Sequence, residues 1–171
     1  MKKKLVFPNL FWWGAASSGP QTEGQYGKVH ENVMDYWFKT HPEDFFDNVG
    51  PLVASNFFHT YTEDFHLMKE IGVNSFRTSI QWSRLIKNLE TGEPDPKGIA
   101  FYNAIIEEAK KNQMDLVMNL HHFDLPVELL QKYGGWESKH VVELKQLERD
   151  GVLWSHTEKE LQLMKSNTVD F

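Results

Sequence analysis

The sequence contains no cysteine. Disulfides, thiolate metal sites and a cysteine nucleophile are therefore excluded together, and the composition fits a reducing compartment. It also lacks any apolar run long enough for a membrane span. The basic opening Lys2-Lys3-Lys4 is followed by an apolar stretch that Pro8 and Asn9 cut short, far below the core of a signal peptide. Positive charge is in deficit, since 18 Lys and Arg against 24 Asp and Glu leave a net charge of −6. With no basic stripe interleaved with aromatics, neither nucleic acid nor an anionic membrane is expected as the principal partner. These absences point to an acidic cytoplasmic protein acting on something small.

Aromatic residues, by contrast, are plentiful: 6 Trp, 12 Phe and 5 Tyr make up 13% of the 171 residues. Flat rings stack on sugars, but they also fill cores, and core packing is the expected role for most of them. Leu10 to Ala16 is continuously apolar and is bounded by a Ser18-Gly19-Pro20 turn, which predicts a strand buried on both faces. A long irregular region, broken by Gly24, Gly27, Pro42, Gly50 and Pro51, runs on to about Asn56. Thr60-x-x-Glu63 reads as a capping box opening a helix to about Glu70, with Gly72 ending it.

Val73 to Ile80 alternates, with Phe76, Thr78 and Ile80 on one face and Ser75, Arg77 and Ser79 on the other, as in a strand. Ile99, Tyr102, Ile105, Ile106 and Ala109 form a helical stripe, and Leu116 to Leu120 reads as a third buried strand leading into His121-His122-Phe123-Asp124. Strands alternating with helices predict a parallel α/β sheet with right-handed crossovers. Polar clusters around Gln21 and around His121-His122-x-Asp124 then fall beyond the carboxyl ends of strands, where a (β/α)₈ barrel builds its active site.

His121, His122 and Asp124 are types that bind metals. However, adjacent residues at a strand end point to opposite sides and no third ligand is indicated, so neither a metal nor another cofactor is expected. A neutral His122 can instead donate a hydrogen bond into a polar cleft. Arg77 either neutralises a buried carboxylate or anchors a structural ion pair. The Gln21 amide suits a pair of sugar hydroxyls and equally suits a loop where it is internally satisfied.

Several motifs occur in order. Phe11-Trp12-Trp13-Gly14-Ala15-Ala16 leads to Gln21-Thr22-Glu23-Gly24; His59-Thr60-Tyr61 comes with Glu63-Asp64; then follow Arg77-Thr78-Ser79-Ile80-Gln81-Trp82-Ser83-Arg84, His121-His122-Phe123-Asp124-Leu125-Pro126 and Gly134-Gly135-Trp136. Together they resemble family 1 of the glycoside hydrolases. The wording of Asn32-Val33-Met34-Asp35-Tyr36-Trp37 and Glu137-Ser138-Lys139-His140 is most similar to that of bacterial 6-phospho-β-glucosidases. The resemblance implies a partial (β/α)₈ barrel, about the first three βα units, over residues 1–144. It also implies that Gln21 and His122 bond hydroxyls of the non-reducing sugar, that Arg77 stands beside the nucleophilic carboxylate, and that Trp82 and Trp136 are aromatics near the cleft. The implied ligand is a small β-glycoside, with phosphorylation at its 6-position resting on the resemblance alone. Plain β-glucosidase and β-galactosidase variants stay open, since no Gly-rich phosphate cradle is visible.

The family cleaves with retention, using two carboxyl groups about 5–5.5 Å apart. By the resemblance, these come from an Asn-Glu-Pro sequence after the fourth strand and a Glu-Asn-Gly type sequence after the seventh. Neither tripeptide occurs in this chain. Residues 145–171 resemble a later part of the family, before its sixth strand, as though joined near Leu144-Lys145 by an internal deletion. The expectation is a chain without catalytic carboxylates, inactive alone and prone to self-association through open barrel edges. A non-catalytic sugar- or partner-binding remnant and a gene fragment without function are the alternatives.

Overall fold

A computed structural model describes residues 5–147 of the chain. In chain order the elements are β1 (Gly14–Ala16), α1 (Gly19–Thr22), α2 (Val33–Thr40), α3 (Phe57–Glu70), β2 (Ser75–Ser79), α4 (Trp82–Leu85), β3 (Ile86–Asn88), β4 (Glu93–Pro94), α5 (Pro96–Lys111), β5 (Asp115–Asn119), α6 (Val127–Tyr133) and α7 (Lys139–Leu147). β1, β2 and β5 form one parallel sheet in that order, with Gly14 opposite Ser75, Arg77 opposite both Ala16 and Val117, and Ser79 opposite Asn119. α3 lies in the crossover from β1 to β2, and α5 in the crossover from β2 to β5. The predicted parallel α/β architecture is therefore present, and all three strands end on one side, at Ala16, Ser79 and Asn119. β3 and β4 make a short antiparallel pair in the β2–α5 connection.

The core forms where α3 and α5 lay their apolar faces on the sheet. Phe57, Phe65, Phe76, Ile80, Leu85, Phe101, Tyr102, Ile105, Ala109 and Met114 make one buried cluster. A second, of Trp82, Ile86, Leu89, Leu125, Leu129, Val141 and Leu144, sits under α6 and α7. α5 begins as its sequence demands: the Asp95 side chain accepts from Gly98 N and Pro96 occupies the first turn. Gly98 is needed because a Cβ there would come 2.4 Å from the Arg84 carbonyl oxygen. Gly72, at φ +88°, follows the last turn of α3 where expected.

Three expectations need correction. α3 begins at Phe57, one turn before the predicted capping box, and its N-cap is Asn56 in the left-handed region. Thr60 therefore lies inside the helix, its hydroxyl bonded back to the Asn56 carbonyl and to Asp64. Burial of Phe57 against Phe65 and Phe76 accounts for the added turn. The capping box that does form is at α2, where Asn32 accepts from Met34 N and Asp35 N while Asp35 accepts from Asn32 N.

The first strand is also shorter than its apolar run and is not buried on both faces. Trp12 and Trp13 are 55% and 49% exposed, and the chain there is held by Asn74, which accepts from Trp13 N and donates to the Phe11 carbonyl. Finally, β5 is half exposed rather than buried, with Val117 39% exposed. Both strands are sheet edges among the described residues, so one flank of each has no strand to cover it, whereas central β2 is buried over most of its length. Thr157-x-x-Glu160, which has the spacing of a capping box, lies outside the described residues.

Phe65 is fully buried against two rings, whereas Leu67 on the same helix is half exposed. Phe65→Ala is expected to remove about 3–5 kcal/mol of unfolding free energy. Leu67→Ala should change it by no more than about 0.5 kcal/mol. Urea titrations of both variants measure the difference.

Candidate functional site

Each of the three parallel strands delivers one predicted site residue to the same end of the sheet. Beyond β1, Gln21 sits exposed in the four-residue helix α1, and its Oε1 accepts a 2.8 Å hydrogen bond from Ser18 Oγ. Its amide NH₂ has no partner among the described residues. On β2, Arg77 is half buried and donates from Nη1 to the Ser17 carbonyl at 2.8 Å. No carboxylate among the described residues lies within ion-pair distance of it, so neither the buried partner nor the structural ion pair considered from the sequence is present. Beyond β5, His122 is partly exposed, with its ring edge-on to Phe123 at 5.0 Å. No hydrogen bond joins any two of these three side chains.

The turn that carries His122 is built on Asp124. This carboxylate is fully buried; its Oδ1 accepts from His122 N at 2.9 Å and lies 3.5 Å from His121 Nδ1. Phe123, between them, has φ +61°, a conformation that costs energy for a bulky residue and that the turn must hold in place. Burial, above all, pushes the Asp124 carboxyl up to about 7; the Glu23 charge adds to this and the His122 N–H opposes it. His121 turns away from His122 toward Trp136, with ring centroids 4.7 Å apart. Trp136 in turn meets the buried Trp82, whose indole N–H donates to the Leu120 carbonyl. Packing is thus the role of Trp82, and the adjacent histidines diverge as their strand-end position predicts.

A buried polar cluster beneath Gln21 was not foreseen. Glu23 Oε2 accepts from Gln81 Nε2 at 2.8 Å, from Arg84 Nε at 3.0 Å and from Tyr102 OH at 3.2 Å, all without access to solvent. Burial raises the Glu23 carboxyl above its ordinary range, and the Arg84 charge and these hydrogen bonds act against that rise. Arg84 also lies 4.5 Å over the Phe58 ring and 4.9 Å over that of Phe101. The partners of Glu23 stand 58 to 79 residues away in the chain, so no local spacing announces them. The signal along the chain was slight: Arg84 stands as a charge between the apolar Trp82 and Leu85-Ile86.

Residues 3–148 match the family described as glycosyl hydrolase family 1. The chain belongs to this family. Over 139 residues it is 49% identical to the 6-phospho-beta-glucosidase GmuD of Bacillus subtilis (strain 168), covering 80% of this chain and 30% of that protein. It is 33% identical to the 6-phospho-beta-glucosidase AscB of Escherichia coli (strain K12), covering 81% and 32%. Its fold is similar to that of rice Os3BGlu6 beta-glucosidase, with TM-score 0.74 and 31% identity over 81% of this chain and 29% of that one. It is likewise similar to aphid myrosinase, with TM-score 0.69 and 35% identity over 76% and 28%. The chain thus spans about 30% of the length of the curated relatives it matches. Its three parallel strands and their helices are part of the family 1 barrel, without closure among the described residues.

A carboxyl group with a raised folded-state pKa holds its proton longer in the folded than in the unfolded chain. Its stabilising contribution is complete below the ordinary aspartate range near about pH 4 and is lost as pH rises through the folded value. For Asp124 that window closes at about 7. Asp124→Asn keeps an acceptor for His122 N but carries no charge. Between about pH 4 and about pH 7 the wild-type urea midpoint should fall more steeply than that of the variant. Equal slopes would remove Asp124 as the cause.

Proposed function

We propose that this chain carries the part of a family 1 β-glycosidase site that holds the non-reducing sugar, and that the sugar is a 6-phosphorylated β-glucoside. The observation that carries the reading is the convergence of Gln21, Arg77 and His122 on one end of the sheet, within a chain that matches the family over residues 3–148. The Gln21 amide NH₂ has no partner among the described residues and His122 offers a partly open imidazole, both suited to sugar hydroxyls. Among the described residues the Arg77 guanidinium donates to the Ser17 carbonyl, and its other N–H groups suit a carboxylate brought to the same end. The phosphorylated substrate is supported by the two relatives named as 6-phospho-beta-glucosidases. A cytoplasmic setting goes with such a substrate; among the described residues no helix is long and apolar enough to cross a membrane.

Cleavage with retention needs an acid/base and a nucleophile that both reach the glycosidic bond. The carboxylates packed nearest this end, Glu23 and Asp124, are fully buried and bonded to the fold. We therefore propose that the chain alone orients a sugar without cleaving it, and that its function as a binding remnant is tested by binding rather than turnover. Calorimetric titration with cellobiose-6-phosphate is expected to give heat, with affinity falling about tenfold in Gln21→Ala or His122→Ala, as for one lost hydrogen bond. Equal affinity for plain cellobiose would defeat the phosphate assignment, and no heat from either sugar would defeat the sugar-binding reading. Turnover of a chromogenic phospho-β-glucoside above that of a Gln21→Ala control would overturn the inactivity.

The edge strands bear on the behaviour of the isolated chain. Exposed Trp12 and Trp13 beside β1, and Val117 on β5, flank unpaired backbone groups among the described residues. Self-association through these edges is proposed. Sedimentation velocity should show mass rising with concentration, whereas a monodisperse monomer with a cooperative melt would contradict it.

A further inference from the structure

We propose that the buried Glu23–Gln81 pair is the positioning element of the sugar-binding end, fixing α1, and through it Gln21, against the end of β2. The proposal rests on the sugar-binding role argued above for Gln21. It starts from a physical difficulty: α1 has only four residues, too few for a helix to hold its own shape in water. The Gln21 side chain, at its exposed face, has a single hydrogen bond among the described residues, from Ser18 Oγ. The direction of its amide must therefore be set by what anchors α1.

The anchors lie at both ends of the helix. Before it, Ser17 N donates to the Arg77 carbonyl at 2.8 Å, and Gly19 N donates to Ser79 Oγ at 2.8 Å. After it, Glu23 N closes the turn on the Gly19 carbonyl at 2.9 Å, while the Glu23 side chain is gripped by Gln81, Arg84 and Tyr102. Gln81 also forms the floor: a Cβ on Gly19 would come 2.4 Å from Gln81 Cγ, so the helix rests directly on this side chain.

Both ends of the Gln81 amide are committed. Its Nε2 donates to Glu23, and its Oε1 accepts from Asn32 Nδ2 at 3.0 Å. Asn32 is the N-cap of α2, whose Asp35 pairs with Lys28 at 2.8 Å. One buried amide thus ties the β1 loop, the end of β2 and the start of α2 into a single cradle. Rotating or removing it breaks two buried hydrogen bonds at once, and the short helix above loses its seat.

The test uses the full 171-residue chain with Gln81→Met and, as the milder change, Glu23→Gln. Hydrogen exchange followed by mass spectrometry is expected to show protection over residues 18–24 falling about tenfold or more, with Ser75–Ser79 and Pro96–Lys111 unchanged. Unchanged protection over 18–24, or a loss spread evenly over β2 and α5, would overturn the proposal, the latter because it marks a general stability role. Titration with cellobiose-6-phosphate adds a second readout. Gln81→Met should weaken binding about tenfold in the wild-type background and less than about twofold when Gln21 is already Ala, whereas additive losses would count against it. If the wild-type chain gives no heat with the sugar, the sugar-binding role of Gln21 falls, and the exchange result alone decides whether the pair positions α1.

Discussion

A carboxylate taken wholly out of water, as at Glu23, must be met by donors from every side or it destabilises the fold by several kcal/mol. Meeting that requirement organises this end of the molecule. Arg84 from α4, Gln81 from the end of β2 and Tyr102 from α5 converge on one carboxyl group, so the loop after β1 is bound to three elements that the chain reaches much later. The Arg84 guanidinium spreads over Phe58 and Phe101 and joins this polar cluster to the aromatic core between sheet and helices. Hydrophobic burial therefore supplies the bulk of the cohesion, and the buried charge determines which loop lies where.

The second turn of the candidate site obeys similar logic on a smaller scale. Asp124 holds the His121–Asp124 turn through His122 N and accommodates the left-handed Phe123, and its own burial pushes its carboxyl up to about 7. Backbone bonds from Val33 to the Leu125 carbonyl and from Val127 to the Glu31 carbonyl then fasten this turn to the start of α2. Since Asn32 also reaches Gln81, the two loops that present Gln21 and His122 share a common support. A shared frame of this kind restricts how far the two loops can move relative to each other.

Much of this was legible along the chain, wherever the deciding interactions are local. The stripe of Tyr102, Ile105 and Ala109, the Asp95-Pro96 start of α5, the alternation through β2 and Gly72 after α3 all follow from side-chain periodicity and backbone preference. Gln21, Arg77 and His122 were singled out through ordered motifs; Gln21 and His122 lie beyond strand ends, and Arg77 lies within β2 with its guanidinium on the Ser17 carbonyl. The start of α3 was misread because Thr60-x-x-Glu63 has the composition of a cap, while burial of Phe57 a turn earlier outweighs it. The apolar run Leu10–Ala16 was read as doubly buried because composition cannot say whether a strand has neighbours on both flanks.

By itself, then, the sequence determined the alternation of strands and helices, the family, and which polar residues stand at the ends of strands, since each depends on near neighbours in the chain or on ordered motifs. Only the tertiary structure decided that β1 and β5 are edges among the described residues, that Glu23 and Asp124 are buried and bonded to the fold, and that Gln81 lies under Gly19 as a common support for α1 and α2. Those outcomes depend on contacts between residues tens of positions apart, and no spacing along the chain records which distant groups will close around a buried charge.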